Sequence, residues 1–112
     1  MQYLVQMELV APGRPTIAGD GQTFIEKYIL PTLELCNKMQ SENKILAGGP
    51  ISGAIGLVLV VQAESARDLD DLIMRLPAWP RMETKVTPLT TFEDRAQVVA
   101  SRLEHLKLGD KP

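Results

Sequence analysis

Two short patterns concentrate the groups that can move protons. Gln6 and Glu8 stand two residues apart in Tyr3-Leu4-Val5-Gln6-Met7-Glu8-Leu9, and Glu83 and Lys85 stand two apart in Met82-Glu83-Thr84-Lys85-Val86. Both stretches alternate apolar and polar residues as a half-buried strand does, so each pair projects from a single strand face. Taking a proton from carbon beside a carbonyl needs a base near that carbon and a donor or positive group near the oxygen that gains charge. If the two strands are neighbours, Glu8 or Glu83 can take and return the proton while Lys85 or Gln6 steadies the oxygen. The same residues also fit a solvated strand face or the rim of an interface, because paired charges are only probabilistic signs of chemistry.

Other reactive residue types are sparse. The one histidine, His105, lies near the chain end, where a surface position is expected. The one cysteine, Cys36, falls on the apolar side of the first helix with no base or cationic neighbour, which is the pattern of a buried, inert thiol. These two residues make no zinc set, and Gly48-Gly49-Pro50-Ile51-Ser52-Gly53 lacks the lysine and spacing of a phosphate loop. No metal or organic cofactor is expected. Phe24 and Tyr28 on the first helix and Trp79, held between Pro77 and Pro80, are the aromatics able to wall a substrate pocket; each equally suits the packed interior.

Composition narrows the classes. A chain of 112 residues with a formal charge of −2 and mixed charges suits one domain, residues 1–112, and no nucleic-acid surface. A lone cysteine points to a reducing, cytoplasmic setting. The apolar run Ile55 to Val61 is too short to span a bilayer, so no membrane partner is expected.

The elements that position these groups follow from periodicity. A strand over residues 2–9 precedes a loop over 11–21, which holds two prolines and three glycines. A helix then starts at Asp20 or Thr23, Thr23 with Glu26 matching a capping box. Phe24, Ile25, Tyr28, Ile29, Leu33, Leu35, Cys36 and Met39 form its expected buried stripe. Pro31 should kink it or split it in two. A short strand at 45–47, a turn at Gly48-Gly49-Pro50 and a strand at 53–62 come next. A helix at 65–76 capped by Ser65, a proline-braced turn, a strand at 82–89 and a final helix at 92–108 complete the order.

The first six elements make a ferredoxin-like α+β unit, βαββαβ, and the added C-terminal helix either covers the sheet or reaches a partner subunit. Leu57-Val58-Leu59-Val60-Val61 is apolar on both faces and needs two covers. One helix layer supplies one, so a face-to-face homodimer is expected, or a higher oligomer of such dimers.

At this point the chain resembles the muconolactone isomerase family of the dimeric α/β-barrel group. The matching stretches are Tyr3 to Leu9, Ala63-Glu64-Ser65, and Leu76-Pro77-Ala78-Trp79-Pro80-Arg81-Met82-Glu83 running to Val86-Thr87-Pro88-Leu89, within residues 1–90. The resemblance implies a cytoplasmic, cofactor-independent enzyme of aromatic-compound breakdown that moves a proton along a lactone ring. Departures are specific. The family tends to carry arginine at Gln6, aspartate at Glu8 and glutamate at Lys85, polar and aromatic residues along Ala54 to Leu59, and a tryptophan-arginine-rich stretch at Leu46-Ala47-Gly48-Gly49.

The leading expectation is therefore acid–base isomerisation of a small apolar lactone or cyclic carbonyl compound. It predicts an enclosed pocket beside the first and last strands with a carboxylate pointing inward. The alternatives are a non-catalytic dimeric small-molecule-binding or regulatory protein, and a cofactor-independent oxygenase or cyclase of the same barrel group.

Overall fold

In the computed structural model, which describes residues 1–10 and 20–109, alternation along β1 (Gln2–Leu9) sends Tyr3, Val5, Met7 and Leu9 into the core and leaves Gln2, Gln6 and Glu8 exposed. The remaining elements are α1 (Asp20–Phe24), a π-helical turn (Ile25–Ile29), α2 (Leu30–Ser41), β2 (Ile45–Pro50), β3 (Gly56–Gln62), α3 (Ala66–Met74), a 3-10 turn (Trp79–Arg81), β4 (Met82–Leu89) and α4 (Phe92–Gly109). The strands form one antiparallel sheet in the order β2-β3-β1-β4, the ferredoxin-like arrangement. Helices α2 and α3 cover one face, with Met39, Leu69, Leu72 and Ile73 packed on Val5, Met7, Leu59 and Val61. No helix among the described residues is long and apolar enough to cross a membrane.

Several local expectations change. The loop expected over 11–21 lies outside the described residues up to position 19, and Asp20 and Gly21 already belong to α1. Thr23 consequently sits inside the helix rather than capping it, and Glu26 accepts a hydrogen bond from the Gln22 side chain at 3.0 Å. Pro31 neither splits nor ends the helical run. The ring would meet the carbonyl four residues back and leave it without a donor. A wider turn precedes it instead, in which the Leu30 N–H donates to the carbonyl of Ile25, five residues back. That extra residue rotates the helix, so Ile25 and Leu33 are exposed rather than part of the buried stripe, and Thr32 takes a buried place.

Gly48-Gly49-Pro50 is strand rather than turn. Gly48 has φ +118°, and a side chain there would run into the Val58 carbonyl of the neighbouring strand, so glycine is what lets β2 continue. A register shift between Ile45 and Ala47 accompanies it, and the turn falls after Pro50, so β3 begins only at Gly56. Ser65 caps α3, its hydroxyl accepting from the Asp68 N–H at 3.2 Å.

The C-terminal helix does not cover the sheet of its own chain. No residue of α4 is buried, His105 included, and the molecule measures 74 × 30 × 25 Å. Val58 and Val60, on the sheet face away from the helices, are only half-buried.

Candidate active site

β1 lies beside β4 with Gln6 opposite Lys85 and Glu8 opposite Glu83. Residues directly opposite in an antiparallel pair share a face, so all four side chains rise from the face that the helices leave open. They line one depression of about 260 Å³ together with Ile51 and Val58. On the other side of β1, Gly56 pairs with Glu8. A Cβ on Gly56 would stand 2.5 Å from the Met7 carbonyl oxygen and 3.2 Å from the Glu8 Cα, so the close approach of β3 and β1 requires glycine.

Two carboxylates opposite one another on a strand pair repel. Lys85 is one position along on the same face, diagonal to Glu8. Among the described residues none of Glu8, Glu83 and Lys85 has an ion-pair partner, so their charges are not consumed by a structural salt bridge. Chemically the set offers two potential bases, one ammonium donor and one amide. The enclosure expected around them is absent among the described residues: Gln6, Glu8, Glu83 and Lys85 are all exposed.

The aromatic residues do not join this set. Phe24 and Tyr28 lie on the helix side, ring centroids 5.8 Å apart. The Arg81 guanidinium stacks over them, 4.5 Å from the Tyr28 centroid and 5.5 Å from that of Phe24. These three line a recess of about 180 Å³ with Asp20, Thr23 and Lys27. Trp79 lies apart from both, packed against the core between Leu76 and Arg81. A third space of about 180 Å³, between α2 and the end of the sheet, is walled by apolar groups including Ile29, Leu33, Pro50, Ile55 and Met82.

Sequence reasoning missed two supporting residues. Thr32, nearly fully buried, accepts a hydrogen bond from the Ala78 N–H at 2.9 Å and so ties α2 to the turn that launches β4. Its signal is spacing, since Phe24, Tyr28 and Thr32 recur every four residues. Arg81 carries no comparable signal, since a basic residue at a strand entry matches ordinary solvated surface. Burial pushes the Cys36 thiol above its ordinary value, as desolvation disfavours the thiolate.

Comparison with known proteins agrees with this architecture. The muconolactone delta-isomerase family model matches residues 1–95. Among curated protein sequences none matches significantly. A crystal structure of muconolactone isomerase superposes with a TM-score of 0.67 at 23% identity, covering 81% of this chain and 90% of that one. A 5-chloro-2-hydroxyhydroquinone dehydrochlorinase from Burkholderia phenoliruptrix, complexed with 2,5-dihydroxybenzoquinone, superposes with a TM-score of 0.59 at 22% identity, covering 84% of this chain and 98% of that one. These likenesses establish the fold, and the family match spans every strand and the whole open face. The chain belongs to the muconolactone delta-isomerase family.

Proposed function

We propose that the chain, a single ferredoxin-like domain over residues 1–112, acts as a homodimer that isomerises a small lactone or cyclic carbonyl compound by acid–base proton transfer without a cofactor. The observation that carries this reading is the strand register that gathers Gln6, Glu8, Glu83 and Lys85 around one depression. Glu8 or Glu83 takes a proton from a ring carbon conjugated to the carbonyl, and the C–H electron pair moves through the conjugated system to the oxygen. The Lys85 ammonium and the Gln6 amide donate hydrogen bonds to that enolate oxygen, where charge develops. The carboxylic acid so formed returns its proton to a different carbon as the carbonyl re-forms, so the double bond moves and nothing is oxidised. A second copy seated on Leu4, Val60 and Leu89, the half-buried apolar part of the same face, closes the depression, and a bound ligand then displaces its water.

The test is exchange of ring hydrogens in deuterated water across a panel of lactones. Glu8→Gln and Glu83→Gln are measured separately, with light scattering to check assembly. The variant that loses the base is expected to slow exchange by about 100-fold or more, as removal of a general base does. Full exchange rates in both variants would refute the assignment. A non-catalytic binding reading draws on a different observation, the apolar space beside Leu33 and Ile55. It requires lactone-induced NMR shifts at Leu33 and Ile55, none at Glu8, and no exchange.

A further inference from the structure

The family match ends at residue 95, and α4 runs on to Gly109, so most of this helix lies beyond the matched residues. Beyond the Thr91 cap, no described residue buries it: all of its residues are exposed, Phe92 at 97%, Val99 at 57%, and Leu103 and Leu106 at 51% each. In proteins most of a helix's stability comes from packing an apolar face rather than from intrinsic propensity. Phe92, Ala96, Val99, Leu103 and Leu106 follow one another at alternating intervals of four and three residues. That spacing draws a narrow seam along one side of a helix, the width that a single facing helix fills, and narrower than the stripe used against a sheet.

We propose that α4 pairs antiparallel with α4 of a second copy of this chain through this seam, an interface separate from the open sheet face. Charge and size select that occupant and that direction. Glu93 and Asp94, followed by Arg95, leave the first half net acidic, whereas Arg102 and Lys107, with Glu104 between them, leave the second half net basic. Antiparallel pairing with Val99 against the partner's Leu103 also sets Ala96 against the partner's Leu106, so a small residue faces a large one at the outer layers. The same register brings Glu93 beside the partner's Lys107 at both ends of the pair. Parallel pairing would instead align the two helix dipoles and set acidic turn on acidic turn. Arg102 falls near the two-fold axis, where its stem lies over the seam and its guanidinium reaches water. Val98 and Leu108 lie off the seam and remain exposed. The pair is isologous, as a two-fold contact must be, and does not depend on the acid–base reading of the sheet face.

The experiment uses the full chain carrying Cys36→Ser, with Ala96→Cys in one sample and Leu106→Cys in another. Each is oxidised alone and as a mixture, and mass spectrometry reads the disulfide-linked peptides. The expected result is a cross-link between positions 96 and 106 in the mixture, with neither protein linking efficiently to itself. Self-linking of the Ala96→Cys protein shows parallel pairing and overturns the proposal, as does the absence of any link. In a second measurement, Val99→Asp combined with Leu103→Asp should raise the dissociation constant of this contact at least tenfold while leaving the strand signal in circular dichroism unchanged. An unaltered assembly in that variant also overturns it. Lactone exchange, measured on the same samples, reports separately on the sheet-face site.

Discussion

Replacing Thr32 by valine tests how the fold delivers β4 to its place. Thr32 is 2% exposed and its Oγ1 accepts from the Ala78 N–H at 2.9 Å, while Ala78 itself is 0% exposed. Valine keeps the shape of threonine and removes the acceptor, so a buried amide donor loses its partner and water cannot reach it. An orphaned buried group of this kind costs about 1–3 kcal/mol. For a domain of this size each kcal/mol lowers the thermal midpoint by roughly 4–8 °C. Urea unfolding at fixed protein concentration is the assay, with the midpoint expected to fall at unchanged slope. Thr32→Ser is the control, since it keeps the hydroxyl and gives up one methyl, about 0.8 kcal/mol of burial. The reasoning fails if Thr32→Val stays within about 0.5 kcal/mol of the parent, the range of an ordinary surface change, or if serine is worse than valine. Activity offers a second reading. The anchored turn launches the strand that bears Glu83 and Lys85, so Thr32→Val should also slow lactone exchange without touching the site.

Other outcomes follow from the same geometry. Gly56→Ala drives a methyl onto the Met7 carbonyl at 2.5 Å; stability should drop by about 1–3 kcal/mol, as overpacking does, and thermal unfolding will show it. Glu83→Gln removes one of the two opposed carboxylates, so at low salt the fold should gain about 0.2–1 kcal/mol. That gain should shrink in salt, while exchange activity falls. The raised Cys36 pKa keeps the thiol protonated at neutral pH, so iodoacetamide should react more slowly than with free cysteine and speed up only above the ordinary value of 9.0. The folded state holds this proton more tightly than the unfolded chain. Its contribution to stability is therefore intact below 9.0 and lost as pH rises through the higher folded value; Cys36→Ala should flatten that alkaline limb in a pH series of urea midpoints.

Much of the fold was legible because local and long-range signals coincided. β4 runs over Met82–Leu89 as read, since Pro80 fixes its entry and alternation fixes its faces. That Gln6 and Glu8 share one face of their strand, and Glu83 and Lys85 one face of theirs, followed from alternation, whereas the register that sets Gln6 opposite Lys85 and Glu8 opposite Glu83 did not. The π-helical turn before Pro31 was not legible, because it answers a clash with a backbone carbonyl that no side-chain pattern encodes. Its consequence was equally hidden: Ile25 and Leu33 turn outward and Thr32 inward. Gly48-Gly49-Pro50 reads as a turn in isolation and becomes strand only because β3 stands beside it as a template. Phe24 and Tyr28 could be assigned to the interior side of a helix, but not to the opposite side of the sheet from the carboxylates, since that depends on which face the helices cover.

The open face is divided along its strands, and the division bears on how a site and an interface can share it. Leu4, Val60 and Leu89 occupy one part, half-buried already in a single chain, while Gln6, Glu8, Glu83 and Lys85 occupy the other and are exposed, with Val58 at the boundary beside Gln6. A face apolar throughout would seal against a second copy and leave no space for a ligand. A face charged throughout would resist association, because burying unpaired carboxylates costs more than the contact returns. On the reading proposed above, the apolar part seats the partner and the polar part stays as a wet cavity that dries only when a ligand fills it. The departure of Gln6 and Lys85 from the family pattern then falls inside the cavity and not in the seat. Charge changes at Gln6 or Lys85 should therefore alter which lactone reacts while leaving the mass of the assembly unchanged. Val60→Asp, placed in the Val99→Asp/Leu103→Asp background so that pairing through α4 does not mask the loss, should do the reverse, losing assembly first and exchange only as its consequence. Preserved assembly in that combined variant would place the partner elsewhere and remove the physical ground for an enclosed site on this face.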